Sequence, residues 1–303
     1  MSHEIERVLQ AASAGIWAIE PQKAAEILGL LALRAGGSGR DWTGPENEPV
    51  YAGEPVQGRR GTIHVLRLHG TIMPRGGMMA QMSGGASLEV FQKAFLRAAE
   101  DSTAQAIVID TDTPGGMVDQ VPETAKLIYQ ARRAGRPIVA VSNTTAASAG
   151  YWIASAADEL VVTHSGRVGS IGVYTMHDNL SDALREAGIE RTLISAGSKK
   201  TQGNPYEPLD EDARAAIQAR IDGTYKAFTS DVAKFRGVEP SVVRADPDKA
   251  DSHFGGGRAY DAREALRLGM VDRVATLNET LNRLASGRGS RSTSMARRRM
   301  SLI

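Results

Sequence analysis

Between residues 62 and 163 the sequence changes its hydrophobic period again and again, and this rhythm constrains the fold more than any other feature. β-rich runs at residues 62–68, 106–110, 137–141 and 160–163 alternate with helix-periodic stretches at 88–99, 118–134 and 148–157. Strands that alternate with helices in this way form β-α-β crossovers, which lay the strands parallel in one sheet and cover it with helices. The expected class is therefore α/β with a mainly parallel sheet. Runs at 168–174, 191–195 and 270–274 extend the sheet. After Pro208, Ile217, Ile221, Tyr225, Phe228, Val232 and Phe235 recur at spacings of three and four, an amphipathic helix whose stripe suits core or a subunit interface. A short helix at 262–268 stops at Gly269.

Around this block the composition shifts. Residues 1–35 read as a helical segment with Ile27, Leu28, Leu30, Leu31 and Leu33 on one stretch after Pro21. Residues 36–61, rich in Gly, Pro and charge, read as a linker or extended arm, residues 62–285 as the main domain, and residues 286–303 as a disordered basic tail. Lys plus Arg total 36 against 35 Asp plus Glu, so no global field draws the chain to nucleic acid or an anionic membrane. Only the tail, with Arg288, Arg291, Arg297, Arg298 and Arg299, offers a local basic patch. The absence of cysteine excludes disulfides, thiolate zinc sites and a cysteine nucleophile. The start, Met1-Ser2-His3-Glu4-Ile5-Glu6-Arg7, is acidic and lacks a signal-type apolar run, and the stretch 27–33 falls far short of the ~20 residues of a spanning helix. A cytoplasmic chain without a membrane span is expected.

Three segments can carry chemistry. Ser148 lies in Ala147-Ser148-Ala149-Gly150, where a strand turns into a helix; small neighbours expose the hydroxyl, whereas the structural reading is an ordinary helix cap. Asp112-Thr113-Pro114-Gly115-Gly116 follows a strand, where open α/β sheets place their ligands, so the amides of Gly115 or Gly116 with that of Ala149 can form an oxyanion hole; the alternative is a tight turn. Ser198-Lys199-Lys200 offers an amine as base. A lysine serves so only when uncharged, a form favoured by burial and by a neighbouring cation. Histidine bases, His164 or His177 with Asp178 or Asp158 as orienter, stay open. Met78, Met79 and Met82, between glycine pairs, suit a pliable apolar flap.

Read together, these segments resemble the signal peptide peptidase A family of serine-lysine peptidases. The matching pieces are His69-Gly70-Thr71-Ile72, Asp112-Thr113-Pro114-Gly115-Gly116, Ala147-Ser148-Ala149-Gly150, Gly169-Ser170-Ile171-Gly172-Val173, the run from Gly197 through Lys199, Lys200 and Asn204-Pro205-Tyr206, and Ala265 to Asp272. The resemblance implies a Clp protease/crotonase-like fold, Ser148 as nucleophile, Lys200 as general base and Ser170 as the residue that orients the lysine. Lys199 and His177 are the alternative bases. It also implies a ring-like homo-oligomer whose serine and lysine can come from neighbouring subunits, and no cofactor or metal.

Within that family the sequence is most similar to the phage head-maturation branch, through Asn204-Pro205-Tyr206, His177 after Gly172-Val173-Tyr174, and the leader Gly15-Ile16-Trp17-Ala18-Ile19. The function so implied is an endopeptidase that processes procapsid scaffold, portal or capsid proteins in the host cytoplasm or inside the procapsid. The rivals are a host-type cytoplasmic peptidase that degrades signal peptides, a catalytically silent assembly scaffold, and a crotonase-like acyl-CoA enzyme. Nucleic acid enters only through the basic tail.

Overall fold

The computed structural model describes residues 15–21, 23–25, 53–76 and 85–287. The apolar stretch 27–33, linker residues 36–52, the methionine flap and the tail from residue 288 lie outside the described residues. In chain order the elements are β1 (Trp17–Ile19), β2 (Val56–Gln57), β3 (Thr62–His69), β4 (Ile72–Met73), β5 (Ala86–Ser87), α1 (Leu88–Glu100), β6 (Ala104–Thr113), β7 (Gly115–Met117), α2 (Val121–Gln130), β8 (Ile138–Ala147) and α3 (Ala149–Ser155). They continue with β9 (Glu159–Val162), β10 (Arg167–Gly169), α4 (Ser181–Glu186), α5 (Glu211–Arg236), α6 (Pro240–Arg244), β11 (Ala259–Asp261), α7 (Ala262–Arg267), β12 (Arg273–Val274) and α8 (Leu277–Ala285).

The protein is α/β with a mainly parallel sheet, as its alternating periods imply. The larger sheet has eight strands, ordered β11-β10-β8-β6-β3-β2, with β9 also on β8 and β12 on β9. Among the described residues its antiparallel pairs lie at two edges, β2 on β3 and β11 on β10. Strand β6 shows why the runs read as continuously apolar: Ile107 and Ile109 face a core shared with α1, α2, α3 and α5, whereas Ala106 and Val108 face a second cluster under α8. A parallel strand buried on both faces has no polar side to show. Strand β8 matters most for the site. Its first half pairs with β9 and its last residues, Thr145 to Ala147, with β10, so its end is steered beside Gly169.

The second sheet has four strands, ordered β1-β7-β4-β5. The N-terminal region, read as helical, thus contributes a strand, and residues 56–57 of the arm lie on the edge of β3. One expected strand is absent. Residues 191–195 form no ladder with any described strand and are exposed, with Ile194 at 96%; Arg191 lies over the Tyr206 ring, 4.0 Å from its centroid.

Local charge contributes at the end of α1. Asp101 accepts from the Thr103 hydroxyl (2.7 Å) and amide (2.8 Å) and from the His64 ring (2.7 Å). The Thr103 hydroxyl first, and His64 next, hold its carboxyl down at about 2, against 3.8 ordinarily. A carboxyl depressed in the folded state stabilises above its unfolded value, and that contribution disappears as pH falls from 3.8 toward 2. Asp101→Asn is expected to flatten this part of the curve of urea midpoint against pH; an unchanged slope there would contradict the assignment.

Candidate active site

Strand β8 delivers Ser148 into a strained reversal. Its backbone sits at φ 55 and ψ −116, a region that non-glycine residues enter only when surrounding structure compels them. The compelling contacts are visible: its amide donates to Gly169 O at 2.7 Å, and the α3 helix that follows is buried along its whole length. Trp152 on that helix stacks on Phe228 of α5 with centroids 4.4 Å apart and donates to Asp231, and the Tyr151 hydroxyl donates to Met270 O at 2.9 Å. Gly150 leaves room for Thr113, whose methyl would lie 2.3 Å from an added Cβ.

The Ser148 side chain does not cap α3. Its hydroxyl donates instead to Gly172 O at 3.3 Å, and the residue is 1% exposed. The Ala149 amide, first in the helix, has no carbonyl one turn earlier to receive it. Ser170 shares the strain at φ 54, its amide donating to Arg258 O at 2.8 Å. The carbonyl of Gly172, the hydroxyl's partner, carries no mark in the sequence, since any residue supplies one.

The two glycines form strand β7 and no turn. The Gly115 amide donates to Thr113 Oγ1 at 3.1 Å. Val118 N donates to Ile16 O and Glu20 N to Pro114 O, so the antiparallel alternation turns the Gly116 amide toward Ala18. Close approach on both sides is why glycine stands here: a Cβ on Gly115 would lie 2.1 Å from Ala18 O, and one on Gly116 would lie 2.0 Å from Ile72 O. Gly116→Ala is expected to lower stability by about 1–3 kcal/mol, as overpacking does, read as a lower urea midpoint; an unchanged midpoint would show that β4 can step back.

Lys200 lies in the turn after Gly197 and is exposed, as is the whole run 185–200. Within this single chain it is not the partner of the Ser148 hydroxyl. Lys199 pairs with Asp212, whose carboxylate, by hydrogen bond and charge, holds that ammonium above the usual lysine range. His177 Nε2 donates to Asn204 O at 2.9 Å and Leu180 N to Pro205 O at 2.7 Å, so the histidine ties the lysine loop to the segment after Gly172. His177 and Asp178 both line a 340 Å3 cavity with Tyr206, Ile217 and Arg220. His164 is exposed. Asp158 accepts from the Ile138 amide at 2.9 Å, at the opposite end of β8 and about 30 Å of extended chain from Ser148. His164 with Asp158 is therefore not assembled at Ser148.

An α/β protein with a strained, uncapped serine at a strand-to-helix turn has the build of a serine hydrolase. The chain belongs to peptidase family S49, which its residues 130–291 match. Capsid assembly protease C of Escherichia phage lambda is 34% identical over 277 residues, 91% of this chain and 58% of that protein. Head-tail preconnector protein GP5 of Enterobacteria phage P21 is 29% identical over 228 residues, 75% of this chain and 44% of that protein. The putative signal peptide peptidase SppA of Enterococcus faecium is 28% identical over 185 residues, 61% of this chain and 52% of that protein. The chain thus spans about half the length of the curated relatives it matches. Among the described residues no helix is long and apolar enough to cross a membrane.

Proposed function

We propose that this chain is a serine endopeptidase of phage head maturation, acting on procapsid scaffold, portal or capsid proteins in the host cytoplasm or inside the procapsid. The observation that carries the reading is Ser148 itself, buried, strained and uncapped beside the Ala149 amide. Likeness to capsid assembly protease C supports the choice of substrates. In the mechanism, Lys200 Nζ takes the proton of Ser148 Oγ, which attacks the peptide carbonyl. The Ala149 amide, joined by that of Gly116, stabilises the oxyanion; collapse expels the amine, which takes the proton back from Lys200, and water hydrolyses the acyl-enzyme. Ser170 orients the lysine.

The base arrives through assembly. Ile189, Leu193 and Ile194 are exposed apolar residues on the same run as Lys200, at 48, 42 and 96%, and a ring in which this run packs on a neighbouring copy would cover them and bring the lysine to a serine. Desolvation there favours the neutral amine. The test is co-expression with the phage scaffold, portal and capsid proteins, followed by gel analysis of their processing. Shortened products with the wild type and none with Ser148→Ala are expected; processing by both would refute the reading.

A further inference from the structure

Strand β1 sits where a strand of the same chain has no obvious need to be. It is inserted between two edges. On one side it pairs antiparallel with β7, Ala18 opposite Gly116. On the other, Trp17 and Tyr174 exchange both backbone hydrogen bonds, at 2.8 and 2.9 Å, and the Thr175 hydroxyl donates to Gly15 O at 2.8 Å. Trp17, Ala18 and Ile19 are 6, 0 and 2% exposed.

Both edges are walls of the serine site. Tyr174 stands two residues beyond Gly172, which accepts the Ser148 hydroxyl, and β7 supplies the Gly116 amide that Ala18 O occupies. Gly115 lacks the side chain that would meet Ala18 O, so the slot is shaped to admit a backbone. Cavities of 340 and 420 Å3 lie at the residues just ahead of the strand: Ile16 and Arg220 line both, with Thr175 in the first and Gly15 and Met117 in the second. Residues 15–16 thus separate a cavity beside Met117 at the end of β7 from one beside Thr175 in the segment after Gly172.

Resting on the serine peptidase reading, we infer that this slot is the groove for an extended polypeptide substrate, and that the chain's own residues 15–19 fill it as a stand-in. Ladder hydrogen bonds to a sheet edge give affinity for any extended segment, and the side-chain pockets set the preference, here bulky, small, bulky, as in Trp17-Ala18-Ile19. Substrate enters by displacing β1, which frees the Gly116 amide for the oxyanion. The chain is self-occluded until that strand leaves.

The test compares the rate at which a fluorophosphonate probe labels Ser148 in the full wild-type chain and in Trp17→Ala, with circular dichroism to confirm both folds. Labelling is expected to quicken at least about tenfold in the variant, as the loss of one buried apolar side chain shifts the strand outward. A synthetic peptide of residues 13–21 should slow it again, and the same peptide carrying Ala18→Pro should not. Equal or slower labelling of a folded variant would overturn the inference and leave the peptidase reading standing; no labelling of Ser148 in either protein would sink both. Should Trp17→Ala not fold, hydrogen exchange on the wild type decides: unfolded β-casein should strip protection from the amides of Trp17–Ile19, and cleavage of casein with protection intact would refute displacement.

Discussion

Ser148→Ala is expected to cut the hydrolysis of unfolded protein at least about 10³-fold, and Lys200→Ala to cost a comparable factor, because the proposed nucleophile and base would act as a unit. Lys199→Ala should stay close to wild type. The geometry separates the two lysines in the single chain: Asp212 engages Lys199 and holds its ammonium above the usual lysine range, whereas Lys200 lies on the loop that His177 ties to the segment after Gly172. The measurement is the initial rate of β-casein cleavage by each purified protein at matched concentration. Full activity in Lys200→Ala would move the base role to Lys199 or His177. His177 is the weaker of these, because its Nε2 proton is committed to Asn204 O.

The largest effect on stability is expected at Asp272. Arg236, at the end of α5, meets its carboxylate through two bonds of 2.7 and 2.9 Å, with the two side chains 7 and 12% exposed. The same carboxylate accepts from Leu160 N at 2.8 Å, so it joins α5 to the start of β9. Asp272→Ala would strand a guanidinium in the interior, and breaking a buried pair in this way costs about 3–5 kcal/mol. Urea denaturation should show a loss of that size, and replacing both partners together by apolar residues should recover much of it. A loss below about 1 kcal/mol, the range of exposed pairs, would mean that water reaches Arg236 when its partner is gone.

The parallel sheet was legible because its central runs, residues 106–109 of β6, 138–141 of β8 and 160–162 of β9, are buried on both faces and apolar. Helices α1, α2 and α5 were legible from periodicity, α3 from the small residues after Ser148, and α7 from Gly269, which ends it at φ 76. The second half of α5 is core, with Phe228, Val232 and Phe235 buried, while Ile217 and Ile221 in its first half line a cavity. Residues 191–195 show the limit of such reading. A β-rich run reports a side-chain pattern that fits a pleated neighbour, and among the described residues no strand pairs with it. At Gly115-Gly116 it is the alternative reading, a tight turn, that fails: glycine marks close backbone approach as well as turns, and here two strands come up to it. Strand β1 is three residues long and pairs with residues about a hundred positions away, so no local signal announces it. At the site, Ser148 and Ala149 were singled out from the small residues around them and Ser170 through the family resemblance. The Gly172 carbonyl was not, because backbone acceptors leave no trace in residue type.

The account rests on an amine reaching the Ser148 hydroxyl in the assembled protein. An electron cryomicroscopy structure of the oligomer, with β-casein peptide bound to Ser148→Ala, tests this most directly. Lys200 Nζ is expected within about 3–4 Å of the position of the serine hydroxyl, hydrogen-bonding reach with allowance for the missing oxygen, from the same subunit or its neighbour. A bound peptide on β7 with Lys200 still in solvent, and with every other lysine and histidine away from residue 148, would contradict it.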